Sequence, residues 1–97
     1  MLDIEKIMET DEYDKLDCTG LTGSMPLILL AAKRKILEEK GYLFMITTDP
    51  DTCIDIPMWC EYQEKKYSGP FIHNDQGTKV FVHIIRNPEF EMIKEVM

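Results

Sequence analysis

Apolar residues in the first half of this chain fall into two patterns, one helical and one extended. Between Ser24 and Lys40, Leu27, Leu30, Ala31 and Leu37 lie towards one side of a helix, which predicts a helix over 24–40. Ser24 is placed to cap it by accepting a first-turn N–H. Pro26 is tolerated in that turn. Lys33, Arg34 and Lys35 fall towards the end where the helix dipole favours cations, and Gly41 suits the stop. From Tyr42 to Thr48 nearly every position is apolar, as in a buried strand.

Asp49-Pro50-Asp51 opens a second helical segment, expected near 50–65. Pro57 interrupts it. A proline inside a helix costs about 3 kcal/mol, so the cheaper expectation is a single turn at 50–54. A new helix would then be capped by Asp55, with Pro57 in its first turn and Trp59 and Cys60 entering the core. Residues 67–73 and 79–86 read as strands joined by a hairpin loop at Asn74-Asp75-Gln76-Gly77. A weaker alternation over 13–18 places Leu16 and Cys18 on one side of a first strand. The order β-α-β-α-β-β predicts an α/β (α+β) two-layer sandwich, with two helices on one face of a four-stranded mixed sheet. Residues 12–86 would form the domain. Residues 1–11 would be an N-terminal extension and 87–97 a C-terminal amphipathic one, with Phe90, Ile93 and Met97 on its apolar side.

Both faces of the strands are apolar, which adds a question about partners. Tyr42, Phe44 and Ile46 alternate with Leu43 and Met45, and Val80, Val82 and Ile84 alternate with Phe81 and Ile85. A two-layer fold leaves one such face without helices. The terminal extensions or a second subunit, in a homodimer, would be expected to cover it.

Charge narrows the function classes. Ninety-seven residues make one domain, and the net charge is −7. Nucleic-acid binding, which needs clustered Lys and Arg, is not expected. Residues 1–17 hold seven acids against Lys6 and Lys15, a solvated leader or one that faces a basic partner. No apolar run approaches the roughly 20 residues that span a bilayer. The acidic N-terminus does not read as a secretory signal. A cytoplasmic protein is expected, with no membrane partner and no cofactor. Cys18, Cys53 and Cys60 are an odd number without paired CxxC spacing, so reduced thiols and no metal site are expected.

Two motifs go further. Leu16-Asp17-Cys18-Thr19-Gly20-Leu21-Thr22-Gly23-Ser24-Met25-Pro26 resembles the signature of the TusA/SirA-like sulfur carriers, roughly Leu-Asp-x-x-Gly-Leu-x-Cys-Pro-x-Pro. Leu16, Asp17, Gly20, Leu21 and Pro26 match. Asp49-Pro50 followed by Asp55-Ile56-Pro57-x-x-Cys60 resembles the family's second segment at the same spacing, and Val82-His83-Ile84-Ile85-Arg86 its closing strand. The resemblance covers about residues 13–86 and implies a two-layer fold. It also implies a persulfide-carrying function and sulfur-trafficking partners.

The departure lies at the reacting atom. The family's cysteine stands just before the first helix, where partial positive charge favours a thiolate. Here Gly23 occupies that position and Ser24 replaces the following proline. A serine oxygen cannot carry sulfane sulfur, so Ser24 reads as a cap, and Gly23, Ser24 and Pro26 as a helix-terminal site without a catalytic residue. The expected function is a binding or regulatory relative in sulfur metabolism. The first alternative is a carrier that uses another thiol, such as Cys18, Cys53 or Cys60. The second is a protein whose function has left sulfur. Cys18 and Cys60 read as small buried hydrophobes, and Cys53 as more exposed. His73 and His83 read as structural or surface residues, and Asp49, Asp51 and Asp55 as caps and dipole partners.

Overall fold

In the computed structural model, the described residues are Lys6 and 14–89. They form four strands, β1 (Lys15–Cys18), β2 (Tyr42–Thr47), β3 (Lys66–Asp75) and β4 (Thr78–Arg86). Three helices accompany them, α1 (Met25–Ala32), α2 (Arg34–Lys40) and α3 (Thr52–Tyr62). The sheet order is β1-β2-β4-β3. β1 runs parallel to β2 and the other pairs are antiparallel, so the sheet is mixed. The expected α+β architecture is what the chain adopts. The expected extensions at 1–11 and 87–97 lie almost wholly outside the described residues.

One core joins the helices to the sheet. Leu30 of α1, Leu37 of α2, and Ile56 and Cys60 of α3 cluster with Cys18, Leu43, Met45 and Ile85 of the strands. All three helices therefore lie on the face that carries the odd-numbered residues of β2. The opposite face holds a second cluster, Phe44 and Val82 with Tyr42, Phe71 and Ile84 around them. Phe44, Ile46, Val80 and Val82 on that face are each less than a tenth exposed.

The helix expected over 24–40 is two helices. The Lys33 N–H is shared between the carbonyls of Leu29 (3.0 Å) and Leu30 (3.1 Å), and the Ile36 N–H reaches Lys33 O at 2.9 Å. This tight turn has a sequence cause. Positions three and four beyond Leu30, which a continuous stripe would make apolar, are Lys33 and Arg34, and nothing there pins the helix to the core. Ala31, expected in the stripe, is exposed. Gly41 does end α2, at φ 87°, a left-handed cap whose N–H bonds Leu37 O at 3.1 Å. The buried Asn87 ties the end of β4 to this cap. Its N–H donates to Gly41 O (2.8 Å) and its side-chain amide to Leu37 O (3.3 Å).

Pro57 does not divide the second segment. α3 runs unbroken through it, and Asp55 lies in the first turn rather than capping a new helix. Thr52, Ile56 and Cys60 recur every four residues and are all buried. Holding that face against the sheet offsets the one backbone bond that a proline cannot donate. The hairpin is tighter than the expected four-residue loop. β3 ends at Asp75 and β4 begins at Thr78, leaving Gln76 (φ 50°) and Gly77 (φ 87°) as a two-residue turn. A bulge between Ser68 and Phe71 shifts the register of β3, so that Tyr67 pairs with Ile85 but Phe71 with Val82. Gly69 is required in it. At φ +130°, a Cβ there would sit 3.0 Å from Val82 O.

Candidate functional site

The signature turn links the end of β1 to α1. Cys18 O accepts the Leu21 N–H at 3.1 Å, and the Asp17 carboxylate folds back onto Thr19, accepting its N–H (2.9 Å) and its hydroxyl (2.5 Å). Gly20 (φ +81°) and Gly23 (φ +65°) both take left-handed backbone, which glycine adopts without strain. Thr19, Gly20, Thr22, Gly23 and Ser24 are all exposed.

Ser24 occupies the cap position of α1 but does not cap it. Its backbone is helical (φ −84°, ψ −7°), and its side chain makes no capping bond. A capping serine normally takes extended backbone, which aims its oxygen at the first-turn amides. The neighbouring loop serves the turn instead. Asp49 Oδ2 accepts the Gly23 N–H at 3.3 Å, and Thr48 Oγ1 accepts the Gly20 N–H at 2.9 Å. A carboxylate of the chain itself thus stands beside Gly23. Asp49, read as a cap, lies two residues before the cap position of α3, and its Oδ1 takes the Asp51 N–H at 3.0 Å. Asp51 holds the cap position of α3 without a side-chain bond.

None of the three thiols is activated. Cys18 is fully buried, and burial, then the Asp17 charge, raises its pKa. Cys60 is buried on α3, and burial pushes it up to about 12. Cys53 is half-buried. Burial raises its pKa most, the neighbouring Thr52 side chain lowers it, and the Asp49 charge raises it again. A thiolate nucleophile needs the opposite environment.

The histidines do not come together. His73 pairs with Val80 on β4, whereas His83 pairs with Met45 on β2 and points into the helix-covered face. Sequence reasoning missed the role of His83. It is fully buried, with Tyr67 Oη 2.6 Å from Nδ1, and Thr47 and Thr52 Oγ1 at 3.1 and 3.2 Å from Nε2. Burial lowers its pKa to about 4. Burial also raises the Tyr67 pKa, as do Cys53 and Cys60 beside it. The only hint in the sequence was a histidine at a core-facing position of an apolar strand. Among the described residues, no three His, Cys, Asp or Glu side chains gather as metal ligands.

Comparison with known proteins decides the family. The sulfur carrier protein TusA of Pseudomonas putida is 34% identical over 64 residues, which cover 60% of this chain and 80% of that protein. The chain belongs to the TusA family. The sulfur carrier protein TusA of Pseudomonas syringae pv. tomato is 45% identical over 47 residues, and that of Pseudomonas aeruginosa 43% identical over the same length. Each of these matches covers 48% of this chain. They span 56% and 60% of the respective relatives, little more than half of their length. No family model matches the chain, and no solved structure matches it. Among the described residues, no helix is long and apolar enough to cross a membrane.

Proposed function

We propose that this chain is a cytoplasmic docking or regulatory member of the TusA family, which engages sulfur-trafficking proteins without carrying sulfur at position 23. One observation carries the reading. Position 23 has no side chain, and the three thiols present are buried or held protonated. The turn itself is intact and exposed, which supports retained recognition without transfer.

The helical layer beside the turn supplies a surface for that role. Met25 and Ile28 on α1, and Ile54, Met58 and Tyr62 on α3, are large, apolar and exposed, Tyr62 at 87%. From Gly41 to Glu64 the chain carries five acids and no Lys or Arg. An apolar surface flanked by carboxylates suits a partner protein with an apolar patch rimmed by basic residues. We place the partner here rather than a second copy on the open sheet face. The centre of that face, at Phe44, Ile46, Val80 and Val82, is already buried and offers little apolar area for a homodimer.

The reading is tested by incubating the protein with a cysteine desulfurase and cysteine, then weighing it. The expected mass is unchanged. A gain of one sulfur atom, lost on reduction and absent from a Cys53→Ser or Cys18→Ser variant, overturns the reading in favour of an active carrier. Cys53 is the thiol most open to solvent and Cys18 the one nearest the turn in sequence.

A further inference from the structure

We infer that His83 is a positioning residue: a one-directional hydrogen-bond chain through Tyr67, His83, Thr47 and Thr52 fixes the Asp49 loop, and the loop fixes the signature turn. This rests on reading the turn as the functional surface of the fold.

The direction follows from counting protons. The Thr52 hydroxyl donates to Asp49 O at 2.6 Å, which uses its only proton. The contact between Thr47 and Thr52 Oγ1, at 2.7 Å, therefore takes the Thr47 proton. Neither threonine has a proton left for His83 Nε2, so the ring donates there, at 3.1 and 3.2 Å. A neutral imidazole carries one N–H, which leaves Nδ1 a bare acceptor. The Tyr67 hydroxyl must then donate to it, across 2.6 Å. Every contact is served under this assignment, the one Nε2 proton being shared between the two threonine oxygens. The reverse tautomer, which needs a proton on Nε2 from a threonine, leaves the close Thr47–Thr52 pair with none. The burial that lowers the His83 pKa is consistent with a neutral ring.

Aligned donors polarise one another and hold their groups more firmly than isolated bonds. Thr47, Thr52 and His83 are each at most 2% exposed, so water does not compete. The chain ends on the backbone of Asp49, whose carboxylate grips Asp51 N–H and Gly23 N–H, while the adjacent Thr48 grips Gly20 N–H. An interior ring on β4 thus sets a surface turn it does not touch.

Two measurements test this. Nitrogen-15 NMR of the native protein should show a neutral His83 with its proton on Nε2. Backbone relaxation should then compare Thr52→Val, which keeps the shape and removes the hydroxyl, with Thr52→Ser, which keeps the hydroxyl. In the valine variant, order parameters at Gly20, Gly23 and Asp51 should fall from the rigid range near 0.85 towards about 0.6. Those of β2 and β4 should hold, and serine should restore the turn. A proton on Nδ1 overturns the inference even if the valine variant fails to fold. So does a valine variant whose turn stays rigid, or one that loosens everywhere equally. None of these readouts depends on sulfur loading or partner binding, so the two readings fail separately.

Discussion

The two family motifs lie side by side in space and are built on opposite physical terms. The segment from Asp49 to Cys60 points its repeating residues inward. Thr52, Ile56 and Cys60 are all at most 2% exposed, and the helix absorbs Pro57 to keep them there. The signature turn from Thr19 to Ser24 keeps its glycine geometry but is exposed apart from Leu21. Architecture constrains the first and chemistry the second. A chain under pressure to fold must keep the core-facing positions. A side chain at Gly23, by contrast, would meet only solvent and partners, since no atom lies within 4 Å of its Cβ position.

The contrast predicts unequal mutational costs. Ile56→Ala removes a fully buried side chain from the cluster under all three helices, and should cost about 2–5 kcal/mol. Urea unfolding checks it. A loss below about 1 kcal/mol would mean that the segment is no more constrained than the turn.

The interior half of the contrast also has a pH signature. The folded His83 has its pKa lowered from 6.5 to about 4 by burial. Below pH 6.5 the unfolded chain takes up a proton that the folded chain refuses. Stability is therefore full above that value and falls as the pH drops towards about 4. The whole window is worth about 3 kcal/mol. Melting of the native protein should be compared with a His83→Gln variant, which titrates the same carboxylates but not this ring. The advantage of the native protein should shrink from neutral pH to about pH 4. A constant difference would show that the ring is already solvated.

The legibility of these regions in the sequence divides along the same line. The order of elements, the mixed sheet and the glycine stop at Gly41 were readable because each rests on local periodicity or backbone freedom. The break at Lys33 and the unbroken passage through Pro57 were not. Both are decided by what the helix packs against, and a tertiary contact can override a local cost. The links of His83 to Thr52 and Tyr67 join residues 31 and 16 positions apart, and no periodicity marks them. Asp49 was legible as a loop residue, but its hold on Gly23, 26 positions away, was not.

A thiol introduced at the turn sharpens the comparison. Gly23→Cys meets no atom within 4 Å of its Cβ, so its cost is the left-handed backbone, about 1–2 kcal/mol. The sequence alone predicts a depressed thiol pKa from the helix terminus. The structure adds Asp49 Oδ2, 3.3 Å from the Gly23 nitrogen, which opposes a thiolate. Adding Asp49→Asn to Gly23→Cys should therefore lower the thiol pKa, as read from alkylation rate against pH. An unchanged pKa would show that Asp49 is not part of the electrostatics of the turn.

The smallest effect separates the two regions most cleanly. A serine that caps a helix is worth about 0.5–2 kcal/mol over alanine. Ser24 has the right residue type at the right position, yet its backbone is helical and its oxygen bonds no first-turn amide. Asp49 and Thr48 serve the amides of the turn instead. Ser24→Ala should thus change stability by less than about 0.5 kcal/mol, the range of an ordinary surface substitution. Thermal melting of the two proteins at neutral pH decides it. A loss near 1 kcal/mol would mean that Ser24 caps α1 in solution, and that the turn is organised from its own sequence rather than from the Asp49 loop.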